Sequence, residues 1–255
     1  MRRCIRASSR FGLVFEVQPD GIDVFDLAGK IVGSWRSAYY QFFELAICDA
    51  TNELFVSMSL RSGIRSRSHS DRIAHTQLAG SKILVIRSSD GSELRSFPCE
   101  SCVDSLEVSA DGSFVYVAGR EGVTAYTAHG GIKVGFFDPR LTEAGNPGWG
   151  RRSASEFGKF KLITLSPDGL CLFVAWVGAT TLQVFSLTGV GKAAAGTGSI
   201  HFVLQRELSS CSNLNASRLN EFQEKALCPI SDMCFDASGQ LLLASGLSGK
   251  VQVWS

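Results

Sequence analysis

The chain has 255 residues, 45% hydrophobic and 19% charged, which is enough for one large all-β domain or two small ones and too apolar for global disorder. Its formal net charge of +1 argues against a chain-wide nucleic-acid footprint and leaves only local patches. No apolar run approaches the ~18 residues of a transmembrane helix, so no membrane partner is expected.

The first ten residues are basic and contain no acid. No apolar stretch follows their arginines, as a secretory signal would need, and a mitochondrial presequence is the lesser reading beside a plain basic segment. Residues 1–10 are therefore set apart from a repeat domain over 11–255. The first unit of that domain offers three strands, Gly12–Val17, Gly21–Asp26 and Lys30–Trp35, with no clear inner strand.

From here a four-residue turn recurs between apolar runs: Asp49-Ala50-Thr51-Asn52, Ser109-Ala110-Asp111-Gly112, Ser166-Pro167-Asp168-Gly169 and Asp236-Ala237-Ser238-Gly239. An apolar residue precedes each turn (Cys48, Val108, Leu165, Phe235), and a strand-like run follows (Leu54–Val56, Phe114–Val117, Leu172–Val174, Leu241–Leu243). Each unit then has a third strand that closes on an aromatic or large apolar residue, and most of these alternate with period two. The closing residues are Phe25, Ile86, Tyr126, Phe185 and Trp254, at spacings of 61, 40, 59 and 69. A spacing of ~40 is one four-stranded propeller blade, and the excess is assigned to insertions near 61–80, 138–158, 188–199 and 209–227. A short helix is expected over 219–226. Outer strands are traced at Lys30–Trp35, Ser92–Phe97, Ile132–Phe137 and His201–Gln205, with none after Trp254.

This pattern resembles the WD-repeat family of β-propellers, most strongly over 159–186 and 229–255. The resemblance implies an all-β propeller with about five visible blades, degenerate, and either a small closed ring or part of a larger one. Of the family's closing Trp-Asp pair, only Phe25-Asp26 keeps the acid; the others read Ile86-Arg87, Tyr126-Thr127, Phe185-Ser186 and Trp254-Ser255. The Gly-His before the inner strand is absent. With both end units short of a strand, an open β edge is expected that pairs with a partner strand or drives association.

Chemical constellations are sparse. Cys99-Glu100-Ser101-Cys102 is a lone pair with no second pair at zinc spacing, so no metal is assigned. The eight cysteines (Cys4, Cys48, Cys99, Cys102, Cys171, Cys211, Cys228, Cys234) read as reduced thiols of an intracellular protein. Gly189-Val190-Gly191-Lys192 fails as a phosphate loop: no glycine opens it, Ala193 stands where a hydroxyl is needed, and no clear helix follows. His69, His75, His129 and His201 read as loop or strand-start histidines. No catalytic residue and no cofactor is assigned.

One insertion has a distinctive charge. Over residues 61–72, four arginines (Arg61, Arg65, Arg67, Arg72) stand against one acid, Asp71. Clustered guanidinium groups pair with phosphate, so RNA or an acidic partner is expected to bind there first. The function expected is a non-catalytic scaffold that binds proteins through propeller rims and loops. The Leu165-Ser166-Pro167-Asp168 unit and the stretch Pro229–Gly246 resemble transducin-β-like WD-repeat proteins of the small-subunit processome, which implies ribosomal-RNA processing in the nucleolus; the cytoplasm is the other compartment considered. The alternatives are a lactonase-like propeller enzyme and a partial gene product.

Overall fold

The structure, a computed structural model, describes residues 4–60, 81–99, 103–119, 121–138, 161–176, 181–209, 230–236, 238–245 and 251–254. They form five antiparallel sheets in which neighbours in sequence are neighbours in space. The first sheet holds β1 (Ile5–Ser8), β2 (Leu13–Gln18), β3 (Gly21–Asp26) and β4 (Ile31–Arg36). The second holds β5 (Tyr40–Cys48), β6 (Glu53–Leu60), β7 (Ser81–Arg87) and β8 (Glu93–Cys99). The third holds β9 (Val103–Val108), β10 (Phe114–Gly119), β11 (Val123–Thr127) and β12 (Lys133–Phe137). The fourth holds β13 (Lys161–Leu165), β14 (Cys171–Trp176), β15 (Thr181–Thr188) and β16 (His201–Ser209), with α1 (Val190–Ala194) between the last two. The fifth holds β17 (Ile230–Phe235), β18 (Leu241–Ser245) and β19 (Val251–Trp254).

Two expectations are corrected. The first unit does have an inner strand: β1 pairs with β2 from Ile5↔Glu16 to Ser8↔Leu13, inside the basic segment 1–10. Its polar sequence, Ile5-Arg6-Ala7-Ser8, hid it from a search for apolar alternation. A helix also follows Gly189, although it has only five residues. The helix expected over 219–226 lies outside the described residues.

The inner turns share one backbone solution. Their last residue is left-handed at Gly12, Asn52, Gly112, Gly169 and Gly239, with φ of 62°, 59°, 72°, 70° and 82°. That region penalises a Cβ, which explains glycine at four positions and asparagine, its nearest substitute, at the fifth. A second repeat sits at the third strand. Opposite Phe25, Ile86 and Phe185 the outer strand carries one extra residue (Val32, Leu94 and Gln205), a β-bulge at the closing position each time.

The chain forms two compact units, one of Met1–Gly119 with Tyr126–Ile132 and one of Arg120–Ala125 with Lys133–Ser255. In the first unit, one core gathers Phe15, Ile22, Phe42, Leu45, Leu54 and Met58. Another gathers Phe55, Ile83, Phe97, Leu106, Val117 and Tyr126. Fully burying such side chains contributes ~1.5–3 kcal/mol each. Aromatic residues near the ends of outer strands tie one sheet to the next. Trp35 stacks on Phe15 at 6.4 Å and lies where a Cβ on Gly91, in the β7–β8 turn, would have to sit. Phe97 does the same at Gly131, in the β11–β12 turn, and packs on Tyr126 at 5.9 Å.

In the second unit, Leu162, Phe173, Leu182, Val184, Ile230 and Met233 form the core. Phe137, at the end of β12, meets Phe185 at 4.3 Å and Phe202 at 5.0 Å, so it repeats the placement of Trp35 and Phe97. The Ile200 amide donates to the Val134 carbonyl at 2.7 Å, which fixes the segment after α1 against β12.

Candidate functional site

The four arginines singled out by sequence, Arg61, Arg65, Arg67 and Arg72, lie outside the described residues. The strands that carry their segment are described, and they place its base. β6 ends at Leu60 and β7 starts at Ser81, with Met58 opposite Lys82. Tyr40, at the start of β5, pairs with Leu60, and the Lys82 ammonium sits 4.4 Å from the Tyr40 ring centroid. A cation over a ring face is held there by the ring's quadrupole. Next to this pair, Tyr39 is 65% exposed. Arg36 lies at the same end of β4, ion-paired with Asp23 and, at 3.8 Å, with Asp20. The base of the basic insertion thus presents an exposed aromatic ring, an ammonium on a second ring, and a neutralised guanidinium.

The opposite end of these sheets carries the inner turns, and there the polar groups are engaged in bracing. Asp49 accepts hydrogen bonds from the Ser8 hydroxyl at 2.6 Å and the Ser9 hydroxyl at 3.0 Å, and Arg10 donates to its carbonyl at 2.8 Å. Burial pushes the Asp49 carboxyl up, but those hydroxyls outweigh it and hold it below the ordinary carboxylate value. Glu53 accepts from the two terminal guanidinium nitrogens of Arg95, Nη1 and Nη2, at 2.6 and 2.9 Å, and from the Thr51 hydroxyl at 3.0 Å. Arg95 Nε donates to the Ala128 carbonyl at 3.0 Å, and the guanidinium lies 5.8 Å from the Phe55 centroid. Burial again works against ionisation, and the Arg95 hydrogen bonds and charge more than offset it, so Glu53 sits low. Sequence reasoning missed both braces. Their partners lie far apart along the chain, and no local spacing marks them.

Other turn acids are satisfied within their own turns. Asp111 accepts from the hydroxyls of Ser109 at 2.6 Å and Ser113 at 2.7 Å. Asp168 accepts from the Ser166 hydroxyl and the Leu170 amide, and Asp236 from the amides of Ser238 and Gln240.

The remaining motifs are placed as follows. Cys99 is buried at the end of β8 with Cys48, Phe97 and Val103 in its cluster, and Cys102 is outside the described residues. Among the described residues, no three His, Cys, Asp or Glu side chains gather in a way that could hold a metal. Burial pushes the Cys4 thiol up to about 12, so it is a packing group and not a nucleophile. His129 and His201 are exposed, one in the β11–β12 turn and one at the first residue of β16. Lys192 lies in the last turn of α1, not at its start, and Gly189 turns left-handed at φ 81° to open that helix. Among the described residues, no helix is long and apolar enough to cross a membrane.

No protein-family model matches the sequence, and no curated protein does. Solved structures do resemble it. Hydrazine synthase of Kuenenia stuttgartiensis matches with a TM-score of 0.64 and 13% identity, over 98% of this chain and 70% of that one. The β-propeller domain of Myceliophteria thermophila Cps50 (Swd1) matches with a TM-score of 0.57 and 12% identity, over 95% of this chain. The Dos1 propeller matches with a TM-score of 0.54 and 9% identity, also over 95% of this chain. The chain spans 63% of the Cps50 domain and 50% of the Dos1 propeller. At these identities the likeness defines the fold, and the fold is that of a β-propeller.

Proposed function

We propose that this chain is a non-catalytic scaffold of the WD-repeat type, which binds proteins through its rims and an RNA or acidic partner through the basic insertion. The observation that carries this reading is the base of that insertion, where exposed Tyr39 and the Lys82–Tyr40 pair flank the strand ends that carry the four arginines. Rings beside cations are what single-stranded RNA uses, the rings for stacking and the cations for phosphate. Replacing Arg61, Arg65, Arg67 and Arg72 together by Ala should weaken binding of a single-stranded RNA and flatten its salt dependence. Each lost phosphate contact lowers the logarithmic slope by ~0.7, so four lower it by about 3. Affinity and slope equal to the parent's would remove the site.

The finer reading is a role in ribosomal-RNA processing for the small subunit, in the nucleolus. It is supported by the resemblance carried by Leu165–Asp168 and Pro229–Gly246. Proximity labelling of the tagged chain in cells tests it: small-subunit assembly factors should dominate the labelled set, and their absence would withdraw this assignment.

A further inference from the structure

We propose that Ser9 is a phosphorylation site for an arginine-directed protein kinase, and that its phosphate opens the brace at Asp49 between the first and second sheets. The inference goes beyond the RNA reading and does not depend on it. Ser9 opens the β1–β2 turn, Ser9-Arg10-Phe11-Gly12, with Arg6 three residues before it and Arg10 directly after. Of the five inner turns, this one alone contains an arginine or a lysine. Kinases select substrates by such charge patterns. The structure also separates two adjacent hydroxyls. Ser8 is 2% exposed, and its hydroxyl is used twice, donating to Asp49 and accepting from the Phe11 amide at 3.2 Å. Ser9 is exposed, and its hydroxyl donates to Asp49 Oδ2 at 3.0 Å. A kinase therefore reaches Ser9 and not Ser8.

The co-substrate is a nucleoside triphosphate. A bond forms between Ser9 Oγ and the γ-phosphorus, and the bond from that phosphorus to the bridging oxygen breaks. The nucleoside diphosphate leaves, and the hydroxyl proton passes to the base of the kinase. A hydrogen-bond donor is thereby exchanged for a group of about −1.5 to −2 charge. That group stands where the donor faced a carboxylate at 3.0 Å, so it and Asp49 repel. It also competes for Arg10, whose guanidinium donates to the Asp49 carbonyl at 2.8 Å and pairs better with the bidentate oxygens of a phosphate. Arg6 is held by Glu107 at 3.7 Å. The modification thus removes the Ser9 and Arg10 bonds together and drives the carboxylate off Ser8. β1, only four residues long, then keeps its ladder with β2 and loses its tie to the β5–β6 turn.

The test treats the full chain with ATP and the catalytic subunit of an arginine-directed kinase, and assigns the phosphates by mass spectrometry. Ser9 should be labelled and Ser8 not, and Arg6→Ala should cut the Ser9 label. Amide hydrogen exchange then reads the brace at Phe11 and Gly12, whose amides bond to Ser8. Exchange there should become roughly tenfold faster on labelling, the loss of one hydrogen bond to a charged acceptor. Serines in the arginine-rich insertion, such as Ser68, offer the kinase other targets, so Ser9→Ala is treated in parallel and should show no change in exchange. Asp49→Asn keeps an acceptor oxygen for Ser8 but removes the like charge, and there the phosphate should have little effect. An unlabelled Ser9, or label shared equally with Ser8, overturns the proposal. So does a labelled Ser9 with unchanged exchange, or acceleration of the same size in Asp49→Asn. None of these outcomes bears on the RNA reading, which the salt series tests separately.

Discussion

Gly112 and Gly169 hold the same place in two turns and have nearly the same backbone, φ 72° and 70°, yet their surroundings differ. A Cβ on Gly112 would come within 2.5 Å of Thr51 Cγ2 and 3.1 Å of Cys48 Sγ, whereas one on Gly169 meets nothing within 4 Å. Gly169→Ala should therefore cost only the left-handed term, ~1–2 kcal/mol. Gly112→Ala should cost clearly more, because overpacking adds ~1–3 kcal/mol. Urea denaturation of the two variants checks the order, and equal losses would show that the turns are not packed as described. The Glu53–Arg95 pair gives a second test. Glu53 lies below its ordinary value of 4.5 in the folded chain. Its contribution is present above that value and is lost as pH falls through the lower folded value. Glu53→Gln should thus flatten the acid limb of a stability–pH curve below about pH 5. Arg95→Ala should cost ~1–3 kcal/mol near neutral pH, because it leaves a buried carboxylate with fewer partners.

At the scale of strands and turns, much was legible because the determinants are local. The four turns, the third strands and their closing residues were visible, since each needs only a left-handed position and a period-two run beside it. β1 was not, because Arg6 and Ser8 break the apolar pattern and the strand is held by pairing with Leu13–Glu16 and by Asp49 far along the chain. The bulges and the aromatic contacts between sheets were also invisible, since they arise only when a neighbouring element arrives. Trp35 shows what they contribute. It stacks on Phe15 and fills the space that Gly91 leaves open. Trp35→Ala should destabilise the chain by about 2–3 kcal/mol, less than the ~3–5 kcal/mol of a fully buried ring because Trp35 is partly exposed. Thermal unfolding reads this directly, and a shift within error would mean that the ring covers the turn without supporting it.

For the whole molecule, the repeat and its length made the propeller architecture legible, but the candidate site was legible only in part. The charge of the 61–72 run is a property of sequence; Tyr39, Tyr40 and Lys82 join it only because β5, β6 and β7 pair at one end. That same pairing bears on covalent continuity. From Glu53↔Arg87 to Met58↔Lys82, β6 and β7 are joined by a full ladder, and β5 and β8 flank them in the same sheet. The peptide bonds between 61 and 80 are not what keeps the two strands together. A single proteolytic cut in that segment should yield two fragments that still migrate as one species on a native gel and part only in denaturant. Two polypeptides divided there and expressed separately should find each other, which would make this segment a natural seam for a split reporter.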